Sequence, residues 1–170
     1  MDSIVIFFAQ YVIFIVGLVA FGYWLTLPKK QKIQVIIFGL VIAITAYVLS
    51  KLGNSIVHSP RPYTLDQFVP LFAYPKDNGF PSDHTLISAC IAATIFFVSK
   101  KWGIGLFVVA LTIGSARVLA HIHHPIDIMG GFVFAIIAGL IAYGVTNQVS
   151  KLLAQSKYAE QLGFETTPSN

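Results

Sequence analysis

Residues 117–127 read Arg117-Val-Leu-Ala-His121-Ile-His123-His124-Pro125-Ile-Asp127, an arginine, three histidines and an aspartate in a chain that is otherwise mostly apolar. An ionisable side chain near hydrocarbon is costly, so a cluster of them faces a protein interior and does chemistry. Around this stretch the chain of 170 residues is 56% hydrophobic and only 11% charged, with a mean hydropathy of +0.76. Soluble domains carry about a quarter charged residues. The composition predicts an all-α integral membrane protein with one domain. A formal charge of +4 does not point to nucleic acid, because the basic residues stand in ones, twos and threes between apolar runs and set topology instead. Cys90 is the single cysteine, which excludes a disulfide within the chain and any cysteine-based metal site.

Five apolar spans are predicted, at about 4–27, 33–58, 84–99, 102–119 and 126–149. The first reads as a span and not as a signal peptide, since Met1-Asp2-Ser3 precedes it and its lysines follow it. Lys51, Asn54 and His58 fall on one helical stripe, expected to face the bundle interior. Pro60 and Pro62 are expected to end that helix. Residues 59–83 then form a loop too long to be a mere connection. Ser82 and Asp83 suit the amino end of the third span, and Pro125 suits the first turn of the fifth. The tail, 150–170, is mixed and polar, and is expected to be frayed or to lie at the membrane surface.

With five spans, Lys29, Lys30, Lys32, Lys100, Lys101, Lys151 and Lys157 share one face, and the positive-inside rule makes it cytoplasmic. The amino terminus and the polar stretch then lie outside, in the cell membrane's extracytoplasmic half. Three clusters converge there: 54–62, 81–84 and 117–127. Arg61 and Arg117 can each fork onto phosphate oxygens. The amino end of the third span offers free N–H groups and a positive dipole end. Asp127 can hold one nitrogen of His123 and leave the other as a nucleophile, while His84 can serve as general acid and then base.

Arg61-Pro62, Pro81-Ser82-Asp83-His84 and Arg117 with His123 and Asp127 together resemble the three motifs of the type 2 phosphatidic acid phosphatase superfamily of lipid phosphatases. The resemblance covers about residues 51–127. It implies a metal-independent, cofactor-free hydrolase in which His123 becomes a phosphohistidine, His84 protonates the leaving group, Asp127 orients His123, and Arg61, Arg117 and Ser82 bind phosphate. Asp83 inside the second motif, and Lys51-Leu-Gly before the first, are similar to the undecaprenyl-diphosphatase branch linked to bacitracin resistance. The substrate implied is a polyprenyl diphosphate in the bilayer, with phosphatidylglycerophosphate or phosphatidic acid as the alternative.

The first motif usually opens with a lysine where this chain has Asn54, and Lys51, one helical turn earlier, is the candidate stand-in. Ala116 replaces a usual serine and His121 a common glycine. Read singly, the residues have plainer roles: Ser82 and Asp83 as helix caps, Asn54 as an interhelical hydrogen bonder, Lys51 as a side chain snorkelling to the interface, and His58, His121 and His124 as solvated or packed residues. Two other classes stay open: a metal site built from His84, His121, His123, His124 and Asp127, and an inactive lipid-binding paralogue.

Overall fold

The computed structural model describes residues 1–65 and 68–153. The predicted tail lies outside these residues from 154 onward. The described residues form seven helices: α1 (Asp2–Gln10), α2 (Val12–Thr26), α3 (Lys29–Ile56), α4 (Pro62–Leu65), α5 (Asp83–Val98), α6 (Lys100–Leu119) and α7 (Pro125–Leu153). Among the described residues there is no strand, only an isolated bridge between Pro60 and Asn78.

Helices α3, α6 and α7 are long and apolar enough to cross a bilayer. The predicted first span is broken: α1 and α2 meet at 47° around Tyr11 and together make a fourth candidate. Beside the break the Ala9 carbonyl accepts a hydrogen bond of 2.9 Å from Arg117 Nη1, and a side chain that enters the backbone ladder is one way a helix kinks. Helix α5 has 16 residues, about 24 Å against a hydrocarbon core of about 30 Å. Its start follows Pro81, and the Ser82 amide donates to the Asp127 carbonyl at 3.1 Å.

The helix bounds correct several expectations. The basic residues from Lys29 onward begin α3 and do not form a turn before it. Helix α3 ends at Ile56, ahead of both prolines, with Val57 as its cap. His58 therefore falls beyond the helix, the expected inward stripe is interrupted, and Lys51, Asn54 and His58 are all exposed. Lys100 and Lys101 likewise belong to α6, which starts immediately after Ser99.

The core that positions the site is built from small residues, which let helices come close where the bilayer supplies no hydrophobic drive between them. Ala46, Ala89, Ala110, Ala135, Ala138 and Ala142 pack with Phe38, Ile42 and Leu86. At Gly103 any Cβ would lie 2.4 Å from the Cα of Phe96, so only glycine permits the α5–α6 approach. Phe38 stacks on Phe97 with centroids 4.2 Å apart, and Tyr23 meets Trp102 at 5.4 Å. These contacts gather the α2–α3 and α5–α6 turns, with their lysines, at one end of the bundle. The start of α5, the end of α6 and the start of α7 meet at the other.

Candidate active site

The 59–83 loop is ordered by its own polar groups. Asn78 Nδ2 donates to the carbonyls of Asn54 and Val57, both at 2.8 Å, while its Oδ1 accepts from the Ser59 amide at 2.9 Å. Asn54 Nδ2 in turn donates to the Phe80 carbonyl at 2.8 Å. The Tyr63 hydroxyl, one residue into the short helix α4, lies 2.8 Å from the Tyr74 carbonyl and 2.7 Å from that of Pro75. A segment that sequence leaves as an irregular loop is thereby fixed above the ends of α3, α5 and α6.

His123 sits at the centre, 2% exposed. Its Nε2 is 3.1 Å from Arg61 Nη1 and 3.3 Å from Arg117 Nη2, and its Nδ1 is 3.2 Å from Asp127 Oδ2. A guanidinium has only donors, so Nε2 must be the acceptor toward both arginines and Nδ1 carries the ring proton, which it donates to Asp127. The lone pair of Nε2 thus points at the place where two fixed cations would hold an anion. Burial holds the His123 imidazole below its ordinary pKa; the Asp127 bond pulls it upward, and the charges of Arg117 and Arg61 press it further down. Asp127 is pinned by the His124 amide at 2.8 Å. Gly79 lies against that carboxylate, where a Cβ would stand 2.9 Å from Oδ2 and 3.1 Å from the Ser59 carbonyl.

Each arginine is held by several partners. Arg61 Nη1 donates to the Ile122 carbonyl at 2.9 Å and its Nε to Asp77 Oδ1 at 2.7 Å. Arg117, fully buried, donates to the Ala9 carbonyl and, at 2.6 Å, to the Tyr74 hydroxyl. The Tyr74 ring lies under both guanidiniums, 4.4 Å from Arg61 Cζ and 5.0 Å from Arg117 Cζ, and edge-on to His123. Tyr74 and Asp77 were not singled out in the sequence. An aromatic and an acid within a long loop carry no spacing signal, and the only pointer to them was the length of the loop itself.

The remaining candidates are placed as follows. His84 is half-buried in the first turn of α5, within electrostatic reach of Arg117 and His123. Ser82 is fully buried at the N-cap of α5, yet its side chain makes no cap bond; its Oγ accepts from Thr85 Oγ1 at 3.2 Å. Asp83, Lys51 and Asn54 line a polar cavity of about 230 Å³ together with Arg61, Tyr74 and His123. Lys51 Nζ rests 5.5 Å over the Tyr47 ring. Asn54 spends its amide on the Phe80 carbonyl in the loop, a helix-to-loop bond where an interhelical one was expected. The other histidines diverge: His121 stacks on Phe68 at 4.8 Å, and His124 Nε2 is 3.0 Å from the Pro60 carbonyl. Among the described residues no three His, Cys, Asp or Glu side chains are grouped to hold a metal ion.

The chain is 28% identical to the bacitracin transport permease protein BcrC of Bacillus licheniformis over 99% of its own length and 83% of that protein. It is 29% identical to undecaprenyl-diphosphatase BcrC of Bacillus subtilis, covering 84% of this chain and 74% of the relative. The crystal structure of Aquifex aeolicus LpxE shares the fold, with a TM-score of 0.64 at 24% identity over 84% of this chain and 85% of that one. The PAP2 superfamily profile matches residues 34–151, a segment holding all three motifs, and the chain belongs to that superfamily.

Proposed function

We propose that the protein is an undecaprenyl-diphosphate phosphatase that works through a phosphohistidine on His123. Membership of the superfamily makes it a lipid phosphate hydrolase, and the names of its relatives support the diphosphate as substrate. The observation that carries the reading is the convergence of Arg61 and Arg117 on Nε2 of His123, whose other nitrogen is tied to Asp127.

In the first step Nε2 attacks the terminal phosphorus. The bond from phosphorus to the bridging oxygen breaks, and its electron pair leaves with undecaprenyl phosphate, protonated by His84. The two guanidiniums and the first-turn amides of α5 neutralise charge on the transferring oxygens, so that catalysis is mainly positioning and electrostatics. In the second step His84 takes a proton from water, the hydroxide attacks phosphorus, the P–N bond breaks with its pair returning to Nε2, and orthophosphate departs. No metal enters either step. Ser82, Lys51, Asp83 and Asn54 surround the phosphates as part of the site and its rim.

The domain comprises residues 1–149, with five spans formed by α1–α2, α3, α5, α6 and α7 and a cytoplasmic tail after them. The lysine-bearing end faces the cytoplasm and the site faces outward, with the diphosphate head at the outer interface. Release of phosphate from undecaprenyl diphosphate and phosphatidylglycerophosphate by the purified protein tests this, with chelator present and His123→Ala as control. Turnover of the diphosphate, insensitive to chelator and lost in the variant, is expected. Equal background release by wild type and variant would refute it and leave a binding-only protein.

A further inference from the structure

A second cavity of about 730 Å³ lies between α2, α3 and α5 and is almost wholly apolar. Its α3 wall carries Gly39, Ala43 and Ala46, one helical turn apart, so that small side chains leave the space that large ones would fill. At its far end lie Trp24 and Val35, where Trp24 Nε1 donates to the Lys32 carbonyl at 3.2 Å and Lys32 Nζ sits over the Trp24 ring. At its near end lie Ser50 and Asp83, and both also line the polar cavity around Arg61 and His123. The two spaces therefore adjoin at these residues. From Ser50 to Val35 the groove follows roughly 22 Å of helix axis, most of the hydrocarbon thickness of about 30 Å.

We infer that this groove is the subsite for the substrate's isoprenoid tail, a point that rests on the phosphatase reading of the adjoining polar cavity. The occupant follows from three properties. The groove is apolar, so it takes hydrocarbon. It adjoins the head-group cavity at Ser50 and Asp83, so the hydrocarbon belongs to the molecule whose phosphate lies beside His123. It runs most of the way across the hydrocarbon layer, so it distinguishes long tails from short ones. Asp83 and Ser50 mark the border at which the diphosphate head gives way to the tail.

Ala43 is exposed into this space, and Ala43→Trp fills it without displacing a buried side chain. Leu40, exposed on the same helix but outside the groove, gives the control Leu40→Trp. The measurement is kcat/KM on undecaprenyl diphosphate divided by kcat/KM on dimethylallyl diphosphate, whose five-carbon tail ends short of Ala43, about 10 Å of helix axis from Ser50, in detergent. Ala43→Trp is expected to lower this ratio about tenfold or more, the effect of losing one to two methylenes from an apolar pocket, and Leu40→Trp to leave it unchanged. A ratio unchanged in Ala43→Trp, with wild type active on both substrates, overturns the groove alone and means that ordinary bilayer lipid fills it. An equal fall in both variants also overturns it. A wild type inactive on both substrates overturns the phosphatase reading and the groove with it.

Discussion

Tyr74 is the residue whose removal separates the two arginines' alignment from their mere presence. Tyr74→Phe keeps the ring under both guanidiniums and deletes the oxygen that accepts from Arg117 Nη2 at 2.6 Å. Arg117 is fully buried, and its Nε has no hydrogen-bond partner among the described residues. A hydrogen bond to a charged group contributes about 1.5–3 kcal/mol, so the variant should lose roughly ten- to a hundredfold in kcat/KM. Tyr74→Leu also removes two cation–π contacts worth about 0.5–2 kcal/mol each when desolvated, and should lose roughly a further tenfold. The assay is phosphate release under kcat/KM conditions beside saturating rates, with thermal melting of the same samples. A positioning role puts the deficit into kcat, because the misplaced guanidinium serves the transition state more than the ground state. The reasoning fails if Tyr74→Phe matches wild type in kcat, or if its whole deficit is explained by a lower melting temperature.

The His123 shift has a definite sign for pH dependence. The nucleophile must be neutral and its pKa lies below the ordinary 6.5, so activity persists below pH 6.5 and is lost as pH falls through the lowered value; an acid limb of kcat/KM centred above 6.5 would contradict this. Asp127→Asn removes the carboxylate that favours the charged imidazole, so the limb should move to still lower pH while kcat falls about a hundredfold or more, checked by a full pH–rate profile. Gly79→Ala forces a Cβ to within 2.9 Å of Asp127 Oδ2 and should lower kcat roughly ten- to a hundredfold through displacement of His123, measured at saturating substrate. Asn54→Ala breaks the bond to the Phe80 carbonyl and should lower the melting temperature by destabilising the protein by about 1 kcal/mol, with restoration of a motif-type lysine in Asn54→Lys failing to restore it.

The candidate site was legible because its residues are expensive in an apolar chain, and the structure brings Arg61, Arg117, His123 and Asp127 together. Arg117, His123 and Asp127 are ionisable groups clustered between apolar runs, Arg61 stands between two prolines, and His84 lies in the first turn of a helix whose start the sequence marks. What holds these groups was not legible, for a physical reason. Tyr74, Asp77, Ile122 and Ala9 act through a ring face, an exposed carboxylate and two carbonyl oxygens, and backbone carbonyls have no sequence signature at all. The kink at Tyr11 belongs to the same class, since it accompanies a bond from Arg117 more than 100 residues away. Helix starts were misplaced where lysines occur, because a lysine at a membrane boundary reads as a turn even when the helix already includes it, as at Lys29 and Lys100.

The arrangement of the two arginines accounts for why the site suits a phosphate. Arg61 and Arg117 both place an Nη atom within 3.3 Å of the same imidazole nitrogen, so two like charges are held close in a buried space. Such a pair is unfavourable unless each member is neutralised or bonded, and the compensation present is small. Asp77 is 61% exposed and reaches only Arg61, while Asp127 is spent on His123 from behind. The Tyr74 ring, with its negative face toward both cations, supplies the rest. A phosphate entering between the guanidiniums therefore relieves repulsion as well as making bonds, and it meets the Nε2 lone pair already aimed at it. The same electrostatics keep that lone pair unprotonated, since a proton on Nε2 would face two guanidiniums with nothing to receive it. Affinity for the anion and availability of the nucleophile thus have one origin, and a variant such as Arg61→Gln should weaken binding and raise the acid limb of activity together.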